Sequence, residues 1–387
     1  MRSNFSVCVF VVRNLMKTFF RSILFSLTFF VFISPLITHA QAIDTPAHPD
    51  EYLRGTILQI SPPETTDDFI DSLQKVRVKV KPKNATTYEV DAEFNNLPQT
   101  TTDDLHVGEE VIVLKSFAFN DEVRYLVTDK YRLPSLAWLV AIFFAVAVIF
   151  AGIRGITSTL GLGFSLLVLL GFTVPRIVAG ADPFITAIIS AFVIAIVSLT
   201  VAHGFKKQTG LALISTLITL SLSVGLAQFF VTTAKLLGLG TEDALYLQFG
   251  GMGTINFRGL LLAGIVIGVL GVLDDVTTAQ TATIKAIKDT SPTIEFKQLL
   301  FHGLSVGREH ITSLVNTLAL AYAGASLPLL LAFSSNGSNI PLWAVLNSEM
   351  ISQEIVRTLV GSTALILAVP ISTVVSAFYY GRLKRNQ

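Results

Sequence analysis

The sequence predicts an α-helical polytopic membrane protein with about seven transmembrane helices, preceded by a small N-terminal extracytoplasmic β domain that is barrel- or OB-like. Three observations lead there. Of 387 residues, 51% are hydrophobic and only 14% are charged, where soluble domains carry roughly a quarter charged. The shortfall is concentrated in residues 134–380, where seven apolar runs follow one another. Residues 41–133 instead have ordinary soluble composition and period-two alternation.

The chain opens on a segment with export character. Residues 16–40 give a basic stretch at Lys17 and Arg21, an apolar run from Ile23 to Ile37, and Thr38-His39-Ala40. That is the order of a signal peptide, with Gln41 as the expected mature start. Met16 suits this unit better as an initiator than Met1 does. An uncleaved signal anchor over Phe19 to Ile37 is the alternative for residues 1–40, and either reading exports residue 41. The one cysteine, Cys8, precedes the mature region, so disulfides, cysteine–zinc sites and thiol catalysis are not expected.

In the β domain, residues 41–133, Lys75 to Lys81 alternate strictly, with Val76, Val78 and Val80 on one face and four cations on the other. Beyond a turn at Pro82-Lys83-Asn84, Glu89, Asp91 and Glu93 alternate with Val90, Ala92 and Phe94. Paired as a hairpin, the basic outer face of one strand lies beside the acidic face of the next. Arg54–Ile60, Glu110–Leu114 and Val123–Thr128 supply further strands. The basic stripe reads as a solvated face with an acidic neighbour rather than as an anion site. A protein partner, or a second copy, is the expected use of this domain. With a net charge of +1, no nucleic-acid partner is expected.

The apolar runs cover residues 134–153, 156–174, 183–202, 211–232, 258–275, 311–333 and 356–380. Each approaches the ~20 residues that cross a bilayer as a helix. If the first run enters from outside, the segments on the cytoplasmic side hold Arg154, Lys206, Lys207, Lys285, Lys288, Lys297, Arg308, Arg382, Lys384 and Arg385. The opposite loops hold Arg176, Lys235, Arg258 and Arg357. This bias follows the positive-inside rule. It predicts a bacterial inner (plasma) membrane protein with residues 41–133 outside and a basic tail, 381–387, in the cytoplasm.

One segment concentrates polar groups inside the membrane region, Gly268-Val-Leu-Gly271-Val-Leu-Asp274-Asp275-Val-Thr277-Thr278-Ala-Gln280-Thr281. At ~1.5 Å per residue, Asp274 lies some ~25 Å beyond Phe257, near the expected cytoplasmic boundary. Asp274, Thr278 and Thr281 share a helix face. With the sixth span starting near Ile311, Asn316 falls at the same depth, so Asn316, Thr317 and Tyr322 are expected to meet the Asp274 face. An ionisable group in a span is a functional-site hypothesis by default. The candidate ion- or substrate-pathway residues are therefore Asp274, Asp275, Thr278, Thr281, Asn316, Thr317 and Tyr322. The bland role for the two carboxylates is to end the helix at the membrane surface. The stretch Ile294, Phe296, Leu299 and Leu300 is expected to lie along that surface. His302 and His310 have no further ligands near them in sequence, so neither a metal nor a cofactor is expected.

With these residues in view, the chain resembles the YibE/F family of bacterial multi-pass membrane proteins. The likeness rests on Arg54-Gly55-Thr56-Ile57, on Gly268–Thr281 with its Leu-Asp274 step, and on Gly303-Leu-Ser-Val-Gly307-Arg308 leading to Asn316-Thr317 and Ala321-Tyr322-Ala-Gly324. Asp275 and the Thr277-Thr278 pair stand where that family commonly has smaller, more apolar residues. The resemblance implies a membrane protein without an established activity. Helices three to seven are also similar to the permease half of SecD/SecF-type proteins, which implies coupling of proton flow to work outside the membrane.

Two functions compete. One is a transporter or ion-coupled permease with its polar site between the fifth and sixth helices. The alternative is a non-transporting accessory or sensory protein whose β domain binds a partner. His-Glu-x-x-His does not occur in the sequence, and no enzymatic activity is expected.

Overall fold

A computed structural model describes residues 50–62, 73–82, 86–95, 105–117, 122–250, 254–328, 331 and 341–382. The expected signal segment and the end of the basic tail lie outside these residues. The described chain divides after Val146 into two compact units.

The first unit contains β1 (Glu51–Ile60), β2 (Leu73–Lys81), β3 (Tyr88–Asn95), β4 (Glu110–Phe117) and β5 (Val123–Lys130). They close in the order β1-β2-β3-β5-β4, the strand order of an OB-type barrel. Closure leaves no open sheet edge. Val76, Val78 and Val80 are fully buried with Leu53, Ile57, Val111 and Val113, so the alternation seen in sequence is the barrel's inside and outside. Gly55 stands where a Cβ would collide with Val78. Outside, the register sets Lys75 against Glu93, Arg77 against Asp91 and Lys79 against Glu89, with Arg77 Nε 2.9 Å from Asp91. The stripe is thus neutralised by its neighbouring strand.

Arg54 fixes how the chain leaves the barrel. Its Nη2 donates to both oxygens of Glu110 at 2.7 Å, and its guanidinium stacks 4.1 Å over the Tyr131 ring. The Tyr131 amide donates to Glu110 O at 2.8 Å. These groups are exposed, so their net worth is small. Arg54→Ala is expected to speed amide exchange at Tyr131 by roughly fivefold and leave β2 unchanged, as read by hydrogen-exchange mass spectrometry.

The helices are α1 (Leu133–Ala151), α2 (Ile153–Val178), α3 (Pro183–His203), α4 (Lys207–Thr233), α5 (Glu242–Phe249), α6 (Phe257–Thr290), α7 (Phe296–Ala325), α8 (Leu342–Asn347) and α9 (Glu349–Arg382). Six of them (α1, α2, α3, α4, α6 and α9) are long and apolar enough to cross a membrane among the described residues. The protein is therefore a polytopic membrane protein with a barrel domain. No residue of α1 is buried. A π-helical turn at Leu169–Thr173 interrupts α2 and aims the Thr173 hydroxyl at Ser190 of α3, 2.7 Å away.

The sixth run, 311–333, falls partly on α7, which begins at Phe296 and is not among those six. Its placement nevertheless spans the bundle. Phe296 packs on Gly381, Gly303 on Thr373, Gly307 on Val369, and the Tyr322 hydroxyl lies near Gly361. On α6 the partners run the same way, from Ile284 at Gly303 to Gly268 at Tyr322. So α7 lies antiparallel to both α6 and α9. Its first turns are polar, which removes it from a hydropathy count. In the stretch expected along the membrane surface, Leu299 is buried against the bundle and Phe296 is exposed.

The core is the triple contact of α4, α6 and α9. Their facing positions are small or hydroxylated: Ser215, Thr219, Ser223 and Ala227 on α4, and Ala364, Ala368, Ser372 and Ser376 on α9, all buried. Ser215, Thr219, Ser223 and Ser372 return their hydroxyl protons to the carbonyl four residues back, at 2.7–2.9 Å. Backbones can then approach closely without stranding a polar atom in hydrocarbon.

Candidate functional site

Helix α6 does not end where its apolar run ends. It continues from Asp275 to Thr290, and Val276, Thr277, Gln280, Thr281 and Ile284 are all buried. Asp274 is accordingly the middle residue of a 34-residue helix rather than a group at its boundary. Hydropathy stops at 275 because Thr and Gln count as water-facing, yet here they face one another.

Those pairings form a polar layer. Thr277 Oγ1 lies 2.7 Å from Thr216 Oγ1 on α4. Gln280 Nε2 donates to Gly303 O on α7 at 2.9 Å and to Thr373 Oγ1 on α9 at 2.8 Å. Ser376 Oγ donates to Thr281 Oγ1 at 3.2 Å. Four helices are therefore tied at one level through side chains on α6. In this layer each hydroxyl and amide has a partner, and such a layer in a low-dielectric interior fixes helix register.

Asp274 stands one turn away and differs. Its Oδ1 is buried and has no hydrogen-bond partner. Thr278, the neighbour one turn on, donates to the backbone carbonyl of Asp274 at 2.7 Å instead of to its carboxylate. Asp275 points elsewhere and is exposed. A buried carboxylate oxygen without a fixed donor is costly, and a bound proton or small cation is what removes that cost.

The sixth-span candidates fare unequally. Asn316 lies between Gly307, at the level of Gln280, and Tyr322, at the level of Gly268, so its depth does match that of Asp274. Its side chain, with that of Thr317, is exposed on the far side of α7 and does not meet the Asp274 face. Tyr322 does turn inward, with its hydroxyl 3.6 Å from the Cβ position of Gly361. Of the seven candidates, Asp274, Thr278 and Thr281 share one region of α6, Tyr322 lies a few turns away, and Asp275, Asn316 and Thr317 face outward. Sequence reasoning passed over Thr216, Gln280, Thr373 and Ser376. Gln280, three residues beyond Thr277 in the same polar segment, carries the signal in the sequence. Among the described residues no group of three or more His, Cys, Asp or Glu side chains is placed to hold a metal ion.

The model of the family described as YibE/F-like protein matches residues 139–382. The chain belongs to the YibE/F-like family. The matched region begins within α1 and ends at the close of α9, so it takes in Asp274 and the whole polar layer of this YibE/F-like protein. No curated protein and no solved structure matches the chain.

Proposed function

We propose that this YibE/F-like protein is an ion-coupled permease of a bacterial inner membrane, in which Asp274 takes up and releases a proton or small cation. The observation that carries the reading is the enclosed, partnerless Oδ1 of Asp274 half-way along a membrane-spanning helix. The excess of Lys and Arg in alternate loops supports an orientation with the barrel outside and the C-terminus in the cytoplasm. In this reading the protein has no enzymatic activity.

The barrel supports the alternative, an accessory or sensory protein, less well. Its β2–β3 face offers a partner cations already set against carboxylates. The deciding experiment reconstitutes the protein in vesicles loaded with a pH-sensitive dye, under imposed proton and alkali-cation gradients. Flux is expected with the natural chain, and Asp274→Asn is expected to reduce it to the level of empty vesicles while folding normally. Equal flux in the two proteins would end the proposal.

A further inference from the structure

Helices α3 and α6 start side by side, but α3 stops well before α6 does. Asn256, which caps α6, donates from Nδ2 to Asp182, which caps α3, at 3.2 Å. Pro183 then lies 3.4 Å from the Cβ position of Gly259, and the two helices pack along each other. Helix α3 is 21 residues long and ends at His203. The same length counted along α6 from Phe257 reaches Thr277, two residues past Asp275. At ~1.5 Å per residue, His203 and Asp275 therefore stand within ~3 Å of one level.

At that level the surroundings change. Gly204, at φ of +77°, turns the chain out of α3, and Phe205, Lys206 and Lys207 follow, all exposed. Two lysines directly after an apolar span mark the edge of the hydrocarbon. Helix α6 instead runs on to Thr290, so the end of α3 sets water beside the flank of α6 that carries Asp275. His203 and Asp275 are both exposed, whereas Asp274 Oδ1 is enclosed. The charges that act on the His203 imidazole come from three elements: Asp275 of α6, Lys206 of the turn after α3, and Arg154 of α2. Asp275 is the one anion among them. Thr157 Oγ1 of α2 donates to Ala202 O at 3.1 Å, which holds the start of α2 beside the end of α3.

The geometry points to a proton entry in which His203 and Asp275 carry protons between water at the end of α3 and Asp274. This rests on the permease reading above and narrows its ion to the proton. A proton taken from water by the His203 imidazole passes to the Asp275 carboxylate, which leaves the imidazole neutral for the next. From Asp275 it passes to Asp274, and Asp275 returns to its ionised form. Release runs the same steps backwards. Imidazole gains and loses a proton near neutral pH, and chains of His and carboxylate side chains form proton relays in membrane proteins. The hydroxyls of Thr277 and Thr278 are turned to Thr216 and to a backbone carbonyl rather than to the Asp274 carboxylate. That suits a proton, which needs one oxygen, better than a metal cation, which needs several.

The test uses the full chain in vesicles loaded with a pH-sensitive dye, at neutral pH, with the substitutions His203→Gln and Asp275→Asn. His302→Gln on α7, an exposed histidine outside this group, is the control. Either substitution is expected to slow proton flux roughly tenfold, and the control to leave it unchanged. The membrane-impermeant dipeptide glycyl-histidine, added at the face on which α3, α6 and α9 end, is expected to restore flux in His203→Gln in proportion to its concentration. It is expected not to restore the double variant, which lacks the carboxylate that receives the proton. A pair that only steadied the helix ends would show no such rescue. Natural flux in His203→Gln, rescue from neither face, or rescue from the opposite face alone overturns the proton entry, while loss of flux in Asp274→Asn still upholds the permease reading. Movement of an alkali cation without protons also overturns it and leaves Asp274 as the ion site. No flux in the natural chain ends both. If His203→Gln does not fold, Asp275→Asn decides: a tenfold loss supports the entry and natural flux overturns it.

Discussion

Gly303→Val is expected to lower the melting temperature of the purified protein by about 10 °C and to loosen α7 from the bundle. Burial on α7 is limited to Leu299, Gly303 and Gly307 among the described residues, so its hold depends on the backbone coming very close at two glycines. A Cβ on Gly303 would collide with the end of Ile284 and sit 2.9 Å from Thr373 Cγ2. The Ile284 δ-methyl can rotate away from a single added carbon, so Gly303→Ala is expected to be mild. Valine adds two γ-carbons where Thr373 Cγ2 already lies 2.9 Å from the Cβ position, and overpacking of this kind costs about 1–3 kcal/mol. The same displacement pulls Gly303 O away from Gln280 Nε2, and an amide stranded in the interior costs about 1–3 kcal/mol more. Gly271→Val on α6 is the matched control, because nothing lies within 4 Å of its Cβ position. Its melting temperature should stay near that of the natural chain. Equal losses at both glycines, measured by thermal unfolding in detergent, would show that close approach at Gly303 is not what holds α7.

The contrast between those two glycines also marks how far the sequence could be read. In the barrel both the strands and their register were legible, because one face meets water and the other does not. The valines at 76, 78 and 80 had one possible side, and opposite charges on Lys75–Lys81 and Glu89–Glu93 could meet in few alignments. Depth in the bundle was legible too, since rise per residue is fixed, and Asn316 does lie at the level of Asp274. The direction in which a side chain faces was not. In a membrane both the inside and the outside of a bundle are apolar, so the periodicity that betrays an inner face in water is weak. Buried stripes such as Ser215, Thr219 and Ser223 are here more polar than the exposed faces. Helix ends were hidden for the same reason: the apolar runs stop at 275 and start again at 311, whereas the helices run on to Thr290 and begin at Phe296.

The second large effect is expected at the opposite end of the bundle, where Gly238→Ala should destabilise the protein by at least as much as Gly303→Val. Gly238 has φ of +88°, a region that costs an alanine about 1–2 kcal/mol. Its Cβ would also collide with the carbonyl of Phe257 and lie 2.9 Å from Arg258 N. These are backbone atoms at the start of α6, and no rotamer change relieves them. The conformation is held because Leu237 N, Gly238 N and Leu239 N all donate to Glu349 Oε1, at 2.8, 2.8 and 3.2 Å, with Gln353 Nε2 at 2.9 Å. One carboxylate oxygen at the head of α9 therefore gathers the turn that leaves α4 and seats it on α6. Glu349→Gln keeps an oxygen acceptor and is expected to cost little, whereas Glu349→Ala leaves the three amides without their acceptor. The expected order of melting temperatures is Glu349→Gln, then Glu349→Ala, then Gly238→Ala, each below the last. Hydrogen exchange locates the damage, with Leu237–Leu239 opening in Glu349→Ala, and the first turn of α6 opening as well in Gly238→Ala. If exchange at Leu237–Leu239 is unchanged in Glu349→Ala, the turn is held by glycine packing alone and the carboxylate is only an acceptor of convenience.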